Sequence, residues 1–332
     1  MKQTTTPNET NSPEELFFSS LRAGTWDEFY GQEAIKKSLL IAIEATKQRH
    51  EALDHILLYG PPGLGKTTLS HLVSQELGSN LKVTSGTALS KTGDLAAILT
   101  SLEDGDILFV DEIHRLPKVV EETLYPAMED FALDIVIGKG PSARTIRLDL
   151  PKFTLIGATT RYGLLAGPFR DRFGIVHRLT YYQPESLAII VDKASDKLKV
   201  NLTEDASLGI AKRSRGTPRI ALKLLKRVRD YAQVKNKTVE IDLPQVEEAL
   251  AVFSIDEYGL DEHDRNLLNQ VIKKHNGGPV GLSTLAATIS EDTLTIEEVI
   301  EPYLIQIGFL KRTPKGRVVT EKAKKHLSKV KN

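Results

Sequence analysis

The chain has 332 residues, 40% of them hydrophobic, and its 44 basic side chains balance its 44 acidic ones. This length predicts two or three domains with substantial cores. The absence of cysteine excludes disulfides and thiolate metal sites, and no apolar run approaches the roughly 18 residues of a membrane span. The polar N-terminus lacks the apolar segment of a signal peptide, so we predict a disordered tail over residues 1–16 and a cytoplasmic protein.

Three predicted domains follow this tail. Residues 17–183 alternate apolar strand-like runs with helical patterns, which indicates an α/β domain with a parallel sheet. Residues 184–254 show only helical periodicity. Residues 255–332 predict three short helices, the third opened by a Thr295–Glu298 capping box, and then two strands around a Pro-Lys-Gly turn, an order that suggests a winged helix. The strands predicted in the first domain are 55–59, 81–84, 107–110 and 153–158.

The segment Gly-Pro-Pro-Gly-Leu-Gly-Lys-Thr-Thr at 60–68 matches the phosphate-binding P-loop pattern at every position. A predicted strand precedes it and a predicted helix follows it, which is the context that this motif requires. Glycines such as Gly63 and Gly65 let backbone N–H groups approach phosphates. Lys66 can reach the β- and γ-phosphates, and the Thr67 hydroxyl can hold Mg²⁺. The alternative, a glycine-rich turn without a nucleotide, is disfavoured by that context.

A second candidate site follows the predicted strand 107–110. Asp111 and Glu112 come at its carboxyl end, where open α/β sheets bind ligands. Asp111 can hold Mg²⁺ through water, and Glu112 can polarise an attacking water, which favours hydrolysis over binding alone. Without the P-loop, this pair could equally be a solvated turn. We predict that His114 is a polar surface residue rather than a catalytic or sensing group.

The last predicted strand of this domain ends in Thr159 and Thr160. A hydroxyl at this point could contact the γ-phosphate or the attacking water. Arg170 and Arg172 follow, and neither has an evident partner within one chain. Presentation of an arginine to the phosphate of a neighbouring subunit would explain them, and surface salt bridges are the alternative.

The second predicted domain offers one candidate nucleotide contact. Arg219 follows Thr217, which can cap a helix, and Pro218, which suits the first helical position. From there Arg219 could reach back to the nucleotide, so that the angle between the domains would depend on the nucleotide state. Ordinary helix capping is the alternative.

Basic residues are concentrated at the C-terminal end. Residues 306–332 contain nine lysines and arginines but only one acid, Glu321, although the whole chain is neutral. A local basic patch of this kind is typical of a nucleic-acid contact. The alternative is a solvated charged tail.

Five segments together resemble the RuvB family, the AAA+ motors that drive branch migration of Holliday junctions in bacteria. They are GPPGLGKTT, LFVDEIHRL, GATTR, RDRFG and RGTPRIA, which occur in the family's order and spacing between about Leu21 and Thr320. The resemblance implies a P-loop ATPase domain, a helical lid and a winged helix. It also implies ATP and Mg²⁺ as cofactors, and a role in recombination and DNA repair. The expected assembly is a homohexamer around double-stranded DNA, acting with RuvA and near the resolvase RuvC, without a membrane.

The resemblance also implies a role for each residue that matches a family motif. Lys66, Thr67 and Thr68 would bind phosphate and Mg²⁺, with Gly63 and Gly65 in the loop, and Asp111 and Glu112 would form the Walker B pair. Thr159 would be the sensor, with Thr160 as a rival, Arg172 the arginine finger acting in trans, and Arg219 the second sensor. Leu21, Arg22 and Tyr182 would line the adenine side, and Glu129, Asp130 and Phe131 would lie near the nucleotide.

Two further elements have expected partners. The stretch 133–150 has the pattern of a protruding hairpin, and in the family such a hairpin docks on RuvA. Arg312 and Arg317 match DNA-contacting arginines. The chain departs from the family at Ala23-Gly24, where proline usually follows Leu21-Arg22, and at Phe169, where leucine is usual. The first departure loosens the backbone near the expected adenine site.

Two other classes of protein share the Walker motifs. Ring ATPases that unfold proteins usually carry an aromatic-glycine pore loop after the second strand, but residues 84–90 contain no aromatic side chain. A regulator that binds ATP as a signal would need neither Glu112 nor Arg172. DNA-stimulated hydrolysis and oligomeric state would separate these classes from a DNA motor.

Overall fold

The computed structural model describes residues 13–137, 144–235 and 240–329. Its contacts divide the chain into two compact units, Met1–Ser186 with Thr217–Arg219, and Leu187–Gly216 with Ile220–Asn332. Most of the predicted disordered tail lies outside the described residues. From Pro13 onward that prediction is wrong, because helix α1 (Pro13–Ser20) begins there. None of the described helices is long and apolar enough to cross a membrane.

The first unit is built on a five-stranded parallel sheet in the order β2-β3-β6-β1-β7. The strands of the sheet are β1 (Ile56–Tyr59), β2 (Leu81–Ser85), β3 (Ile107–Asp111), β6 (Thr154–Thr159) and β7 (Ile175–Arg178). Between β3 and β6 the chain forms an antiparallel hairpin of β4 (Ala132–Ile137) and β5 (Arg144–Asp149). The helices after α1 are α2 (Glu33–Arg49), α3 (Lys66–Leu77), α4 (Thr92–Leu99), α5 (Lys118–Glu129) and α6 (Gly167–Arg170).

The central strands are apolar because both faces of the sheet are covered. Every residue of β6 is buried, and β3 has four buried residues before Asp111. This burial explains why the strands predicted at 55–59, 107–110 and 153–158 are confirmed. The strand predicted at 81–84 is confirmed as well, as edge strand β2, although none of its residues is buried. The fifth strand, β7, was missed because the exposed Val176 and Arg178 alternate with half-buried residues, and a histidine and an arginine break its apolar run.

The second unit contains most of the helical lid. Its helices are α7 (Pro184–Lys197), α8 (Glu204–Lys212), α9 (Pro218–Lys235) and α10 (Leu243–Val252). Side-chain caps start two of them: Thr203 accepts from the Ala206 N–H, and Asp242 forms a capping box with Gln245. The prediction of helices is confirmed, with the addition of two short parallel strands, β8 (Asn201–Leu202) and β9 (Glu240–Ile241).

The rest of the second unit has the predicted winged-helix elements. They are α11 (Glu262–His275), α12 (Leu282–Ile289), and α13 (Thr293–Thr295), which continues through a π-helical turn (Ile296–Ile300) into α14 (Glu301–Gln306). The hairpin of β10 (Leu310–Thr313) and β11 (Gly316–Val319) follows, and then α15 (Glu321–Lys329), which the sequence analysis missed. The predicted Thr295–Glu298 capping box is wrong. The cap is Asp292, whose Oδ1 accepts from the Leu294 N–H at 3.0 Å, so Thr295 lies inside the helix.

Candidate functional site

The P-loop joins β1 to α3 at the carboxyl edge of the sheet. Gly60, Gly63 and Gly65 have φ angles of 139°, 76° and 100°, in the region that favours glycine. A Cβ at Gly60 would lie 2.4 Å from the Leu179 carbonyl oxygen, and one at Gly65 would lie 3.0 Å from the Phe29 ring. Because these glycines have no side chains, the backbone N–H groups of the loop at the N-terminus of α3 are accessible and can bind an anion. This geometry fits the phosphate group that the motif predicts.

Lys66 is the first residue of α3 and is only 7% exposed. Its Nζ donates to the carbonyl oxygens of Gly60, at 2.8 Å, and Pro61, at 2.9 Å. Burial lowers the pKa of Lys66, and the carboxylates of Glu112 and Asp111 oppose that shift. A cation held by neutral carbonyls inside the loop is available to a phosphate oxygen. Thr67 and Thr68 follow it and are half-buried.

Asp111 ends β3, and Glu112 follows in a left-handed conformation with a φ of 46°. Burial raises the pKa of Asp111, while the bond that its Oδ1 accepts from the Glu112 N–H, at 2.9 Å, lowers it. The described residues contain no group of three or more His, Asp and Glu side chains that could hold a metal ion. Thr67 and Asp111 would therefore bind Mg²⁺ only together with the oxygens of a nucleotide and water, as this ion commonly binds.

The two threonines at the end of β6 have different surroundings. The Thr160 hydroxyl donates to Glu112 Oε2 at 3.0 Å. Thr159 is fully buried, and its Oγ1 lies 2.9 Å from His114 Nδ1 and accepts from the Arg161 N–H at 3.0 Å. The hydroxyl beside the candidate base is thus that of Thr160, whereas the sequence analysis preferred Thr159.

His114 is not the surface residue that we predicted. Its side chain is 6% exposed, and Nδ1 lies 3.1 Å from Glu112 Oε2. A 3₁₀ turn over Ile113–Arg115 folds it back onto the end of the sheet. Burial lowers the pKa of His114, against the effect of Glu112. The signal in the sequence was a histidine two residues after the Walker B glutamate, but only the turn brings the two side chains together.

Leu21, Arg22 and Tyr182, expected on the adenine side, all belong to the first unit. Leu21 and Tyr182 are buried, and burial lowers the pKa of Arg22. The Tyr182 hydroxyl donates to the Leu64 carbonyl oxygen of the P-loop at 3.1 Å. In the Ala23-Gly24 segment, which departs from the family's proline, the Gly24 N–H donates to Glu28 Oε2 at 2.8 Å, so a hydrogen bond restrains this turn.

Arg172 has several partners within its own chain, so the expectation that it has none is wrong. Its guanidinium lies 3.1 Å from Glu129 Oε1, donates to the Pro168 carbonyl oxygen at 2.6 Å, and covers the Tyr125 ring at 4.2 Å. Arg170 likewise lies over the Tyr162 ring. An aromatic ring and one half-exposed carboxylate hold Arg172 at the surface, with 20% of its side chain exposed.

Asp130, Phe131 and Arg219 are the remaining residues that were expected near the nucleotide. Asp130 pairs with Arg147 at 2.7 Å, and Phe131 packs against the buried core of the first unit. Arg219 lies at the start of α9, and its backbone N–H donates to the Gly63 carbonyl oxygen at 3.4 Å. The charge of Arg219 is among the causes that lower the pKa of Asp111, against its burial. Arg219 therefore lies beside the P-loop.

In the winged helix, Arg312 and Arg317 face each other across the hairpin and share one buried carboxylate. Glu301 is fully buried; its Oε2 lies 2.5 Å from Arg312 Nη2 and 3.2 Å from Arg317 Nη2. Glu297 pairs with Arg312 as well, at 3.1 Å. The Arg312 side chain remains 48% exposed but that of Arg317 only 12%. The sequence analysis missed Glu301, because an acid on a helix carries no signal for a basic hairpin that is distant in sequence.

Comparison with known proteins gives consistent matches along the chain. Three family models match in order: the Holliday junction DNA helicase RuvB P-loop domain over residues 21–179, the RuvB AAA lid domain over 182–256 and the RuvB C-terminal winged helix domain over 257–328. The Holliday junction branch migration complex subunit RuvB of Fusobacterium nucleatum is 55% identical over 324 residues, covering 97% of each chain.

Solved structures match equally well. The structure of the Thermotoga maritima RuvB Holliday junction branch migration motor has a TM-score of 0.83 and 53% identity, covering 93% of this chain and 98% of that one. A point mutant of the Thermotoga maritima protein gives a TM-score of 0.84 with the same identity and coverage. The matches extend over the P-loop unit, the lid and the winged helix alike.

Proposed function

Since this chain belongs to the RuvB family, the ATP-driven AAA+ motors of Holliday junction branch migration, we propose that it works as a homohexameric ring on double-stranded DNA. Each subunit binds ATP and Mg²⁺ at the P-loop, and hydrolysis drives translocation. RuvA loads the ring on the junction, and RuvC acts on the same complex. Because the substrate is chromosomal DNA, the site of action is the bacterial cytoplasm.

One observation carries the hydrolytic part of this proposal. The buried Lys66 cation, the Walker B carboxylates and the Thr160 hydroxyl belong to adjacent segments at the carboxyl edge of one sheet, with Glu112 bonded to Thr160 at 3.0 Å. A site built only for binding would not need a second carboxylate after Asp111. The pairing of a cation for the γ-phosphate with a carboxylate for water favours turnover.

The residues divide the chemistry among them. Backbone N–H groups of the P-loop and Lys66 hold the phosphates, while Thr67 and Asp111 hold Mg²⁺, which neutralises charge on the phosphate oxygens when bound. Glu112 accepts the proton of the attacking water. Thr160 orients that water or the γ-phosphate, and we assign it the sensor role in place of Thr159 because its hydroxyl lies beside the base.

Arg172 supplies charge across a subunit boundary. Its contacts with Glu129 and Tyr125 keep the guanidinium at the surface, and the salt bridge to Glu129 has to be exchanged for a neighbour's phosphate in the ring. Losing a surface salt bridge costs little free energy, roughly 0–1 kcal/mol, but the bond to the Pro168 carbonyl oxygen and the contact with Tyr125 have to be exchanged as well. Glu129 thus pairs with the Arg172 guanidinium in a subunit that has no neighbouring subunit bound.

The test of the proposed function is ATP hydrolysis by Glu112→Gln. The amide retains the size of the side chain but cannot accept a proton, so we expect ATP binding to persist and kcat to fall by on the order of 10²-fold or more. Glu122→Gln is the matched control, since Glu122 is an exposed acid on α5. Turnover by Glu112→Gln close to the parental rate would refute the assignment of Glu112 as the base.

A further inference from the structure

His114 connects the Walker B strand to the sensor strand. Its Nδ1 lies 3.1 Å from Glu112 Oε2 and 2.9 Å from Thr159 Oγ1. Thr159 is in turn anchored on both sides: its Oγ1 accepts from the Arg161 N–H, and its carbonyl oxygen accepts from the N–H of Gly60 in the P-loop at 3.1 Å. His114 therefore links Glu112 to a rigid part of the sheet that also carries the nucleotide loop.

Nδ1 faces two oxygens, Thr159 Oγ1 at 2.9 Å and Glu112 Oε2 at 3.1 Å, and both bear on which ring nitrogen carries the proton. A lone pair on Nδ1 would face the Glu112 carboxylate at 3.1 Å, which is repulsive, whereas an N–H at Nδ1 is attracted both by that carboxylate and by the lone pairs of Thr159 Oγ1. We therefore assign the proton to Nδ1. Burial lowers the pKa of His114, so the ring is neutral near pH 7 and acts as a fixed donor.

The bonds to the Glu112 carboxylate converge on a single oxygen. Oε2 accepts from the Thr160 hydroxyl at 3.0 Å and from the Thr160 N–H at 3.4 Å, and it faces His114 Nδ1, while the side chain remains 31% exposed. A carboxylate with one oxygen held by these donors has a defined orientation, and its second oxygen, Oε1, is the one that can accept a proton from water. The left-handed backbone at Glu112, with a φ of 46°, makes such support necessary, because this conformation is unfavourable for a side chain with a Cβ.

We propose that His114 is a positioning residue for hydrolysis, whose Nδ1–H fixes the Glu112 carboxylate so that Oε1 faces the attacking water. This inference rests on the proposed function, in which Glu112 is the base. His114 itself contacts neither water nor nucleotide in this role. Its contribution is orientation, and misplacing a reacting group by about 1 Å can cost on the order of 10²-fold in rate.

Three substitutions separate this role from simple packing. His114→Ala removes the donor. His114→Asn places its amide nitrogen the same number of bonds from Cα as Nδ1, so the amide N–H can still donate to Glu112. His114→Gln places its amide at the position of Nε2 and so fills space without a donor at the Nδ1 position. For each variant of the full chain we would measure kcat and KM for ATP, nucleotide affinity by fluorescence titration, and the thermal unfolding midpoint.

We expect His114→Ala and His114→Gln to lower kcat by about 10–100-fold with ATP affinity unchanged, and His114→Asn to restore kcat to within about threefold of the parent. Combining His114→Ala with Glu112→Gln should lower kcat no further than Glu112→Gln alone, because the residue that His114 positions is already disabled.

Several results would overturn the inference. They are a parental kcat in His114→Ala, equal losses in the Asn and Gln variants, or a loss of kcat that follows a lower unfolding midpoint or weaker ATP binding. The proposed function fails by a different result, retained turnover in Glu112→Gln. If Glu112→Gln does not hydrolyse ATP while His114→Ala keeps the parental kcat, only the positioning role of His114 is contradicted.

Discussion

At the scale of single residues, Arg312 and Arg317 both pair with the buried Glu301 carboxylate but differ in their exposure to solvent. Arg317 is 12% exposed and bonded to a fully buried acid, so its charge mainly compensates Glu301. Arg312 is 48% exposed and can present part of its guanidinium to a phosphate while the rest stays paired. Glu301 thus orients both arginines along one edge of the hairpin.

The substitutions Arg312→Ala and Arg317→Ala should therefore differ. Arg317→Ala leaves buried Glu301 with Arg312 as its remaining partner in the hairpin, and we expect a loss of about 1–3 kcal/mol in stability, seen as a lower unfolding midpoint. Arg312→Ala should lower the midpoint less, because Arg317, which bonds both oxygens of Glu301, remains in place. It should lower the slope of log affinity against log salt for duplex DNA by about one unit per subunit engaged.

Lys212→Ala, an exposed basic residue on the lid, is the control for loss of charge outside the winged helix. Contacts with phosphates rather than bases suit a motor that must move along any sequence. If the Arg312→Ala slope equals that of the parent and of Lys212→Ala, Arg312 does not contact the DNA backbone.

Among single residues, the identity of the catalytic residues was more predictable from the sequence than their hydrogen-bond and ion-pair partners. Lys66, Asp111 and Glu112 follow from local patterns, because a P-loop and a strand ending in acids define their own geometry. The partners of His114, Arg172 and Arg312 did not follow. Each of these contacts depends on how a turn or a helix packs against a segment distant in sequence, which local patterns do not encode.

At the scale of elements, the hairpin β4–β5 is the best candidate for a partner surface. Ile146 and Leu148 lie on the same face of β5 and are 45% and 36% exposed. On the paired strand β4, Ile135 and Ile137 are the apolar residues that the sequence suggests for this contact. Their side chains, like the turn between the strands, lie outside the described part of the chain. Exposed apolar side chains on a projecting hairpin favour a protein contact.

We expect Ile146→Glu to weaken binding to RuvA by at least about tenfold, since a charge would have to be buried in an apolar contact. Basal ATPase should stay at the parental level, because the hairpin contributes no residue to the P-loop. Thr145→Glu, on the opposite face of β5, is the matched control. Titration of RuvA against the labelled chain measures both. Unchanged affinity in Ile146→Glu and in a Leu148→Glu variant would exclude this face as the docking surface.

The elements also show where periodicity is informative. Buried parallel strands such as β3 and β6 are continuous apolar runs, so they could be predicted from the sequence. Edge strand β7 and the basic helix α15 have no such run. The start of the third helix of the winged helix was predicted wrongly, because Asp292 and Thr295 are both acceptable cap residues and the structure has Asp292 in that position.

At the scale of the whole molecule, the proposed ring requires that one subunit complete the site of the next. We expect Arg172→Ala to bind ATP normally but to lose on the order of 10³-fold in turnover. Lys66→Ala should be equally inactive for the opposite reason, since its own P-loop lacks the cation. Mixing the two variants should restore activity, because an intact P-loop then meets an intact Arg172 from its neighbour.

The control for that mixture is a chain carrying both substitutions. It can assemble with Arg172→Ala subunits but offers no intact pair at any boundary, so it should restore nothing. Steady-state ATPase across mixing ratios measures the effect. If confirmed mixed rings of the two single variants are no more active than either variant alone, Arg172 does not act across the boundary.

Strand exchange on a synthetic four-way DNA junction measures whether ATP hydrolysis by this chain drives branch migration. We expect the parental chain with RuvA to separate the junction into duplex products only with ATP and Mg²⁺, and Glu112→Gln to bind the junction without separating it. Hydrolysis of ATP by the parental chain with no junction separation in the presence of RuvA, or separation by Glu112→Gln at the parental rate, would contradict this expectation.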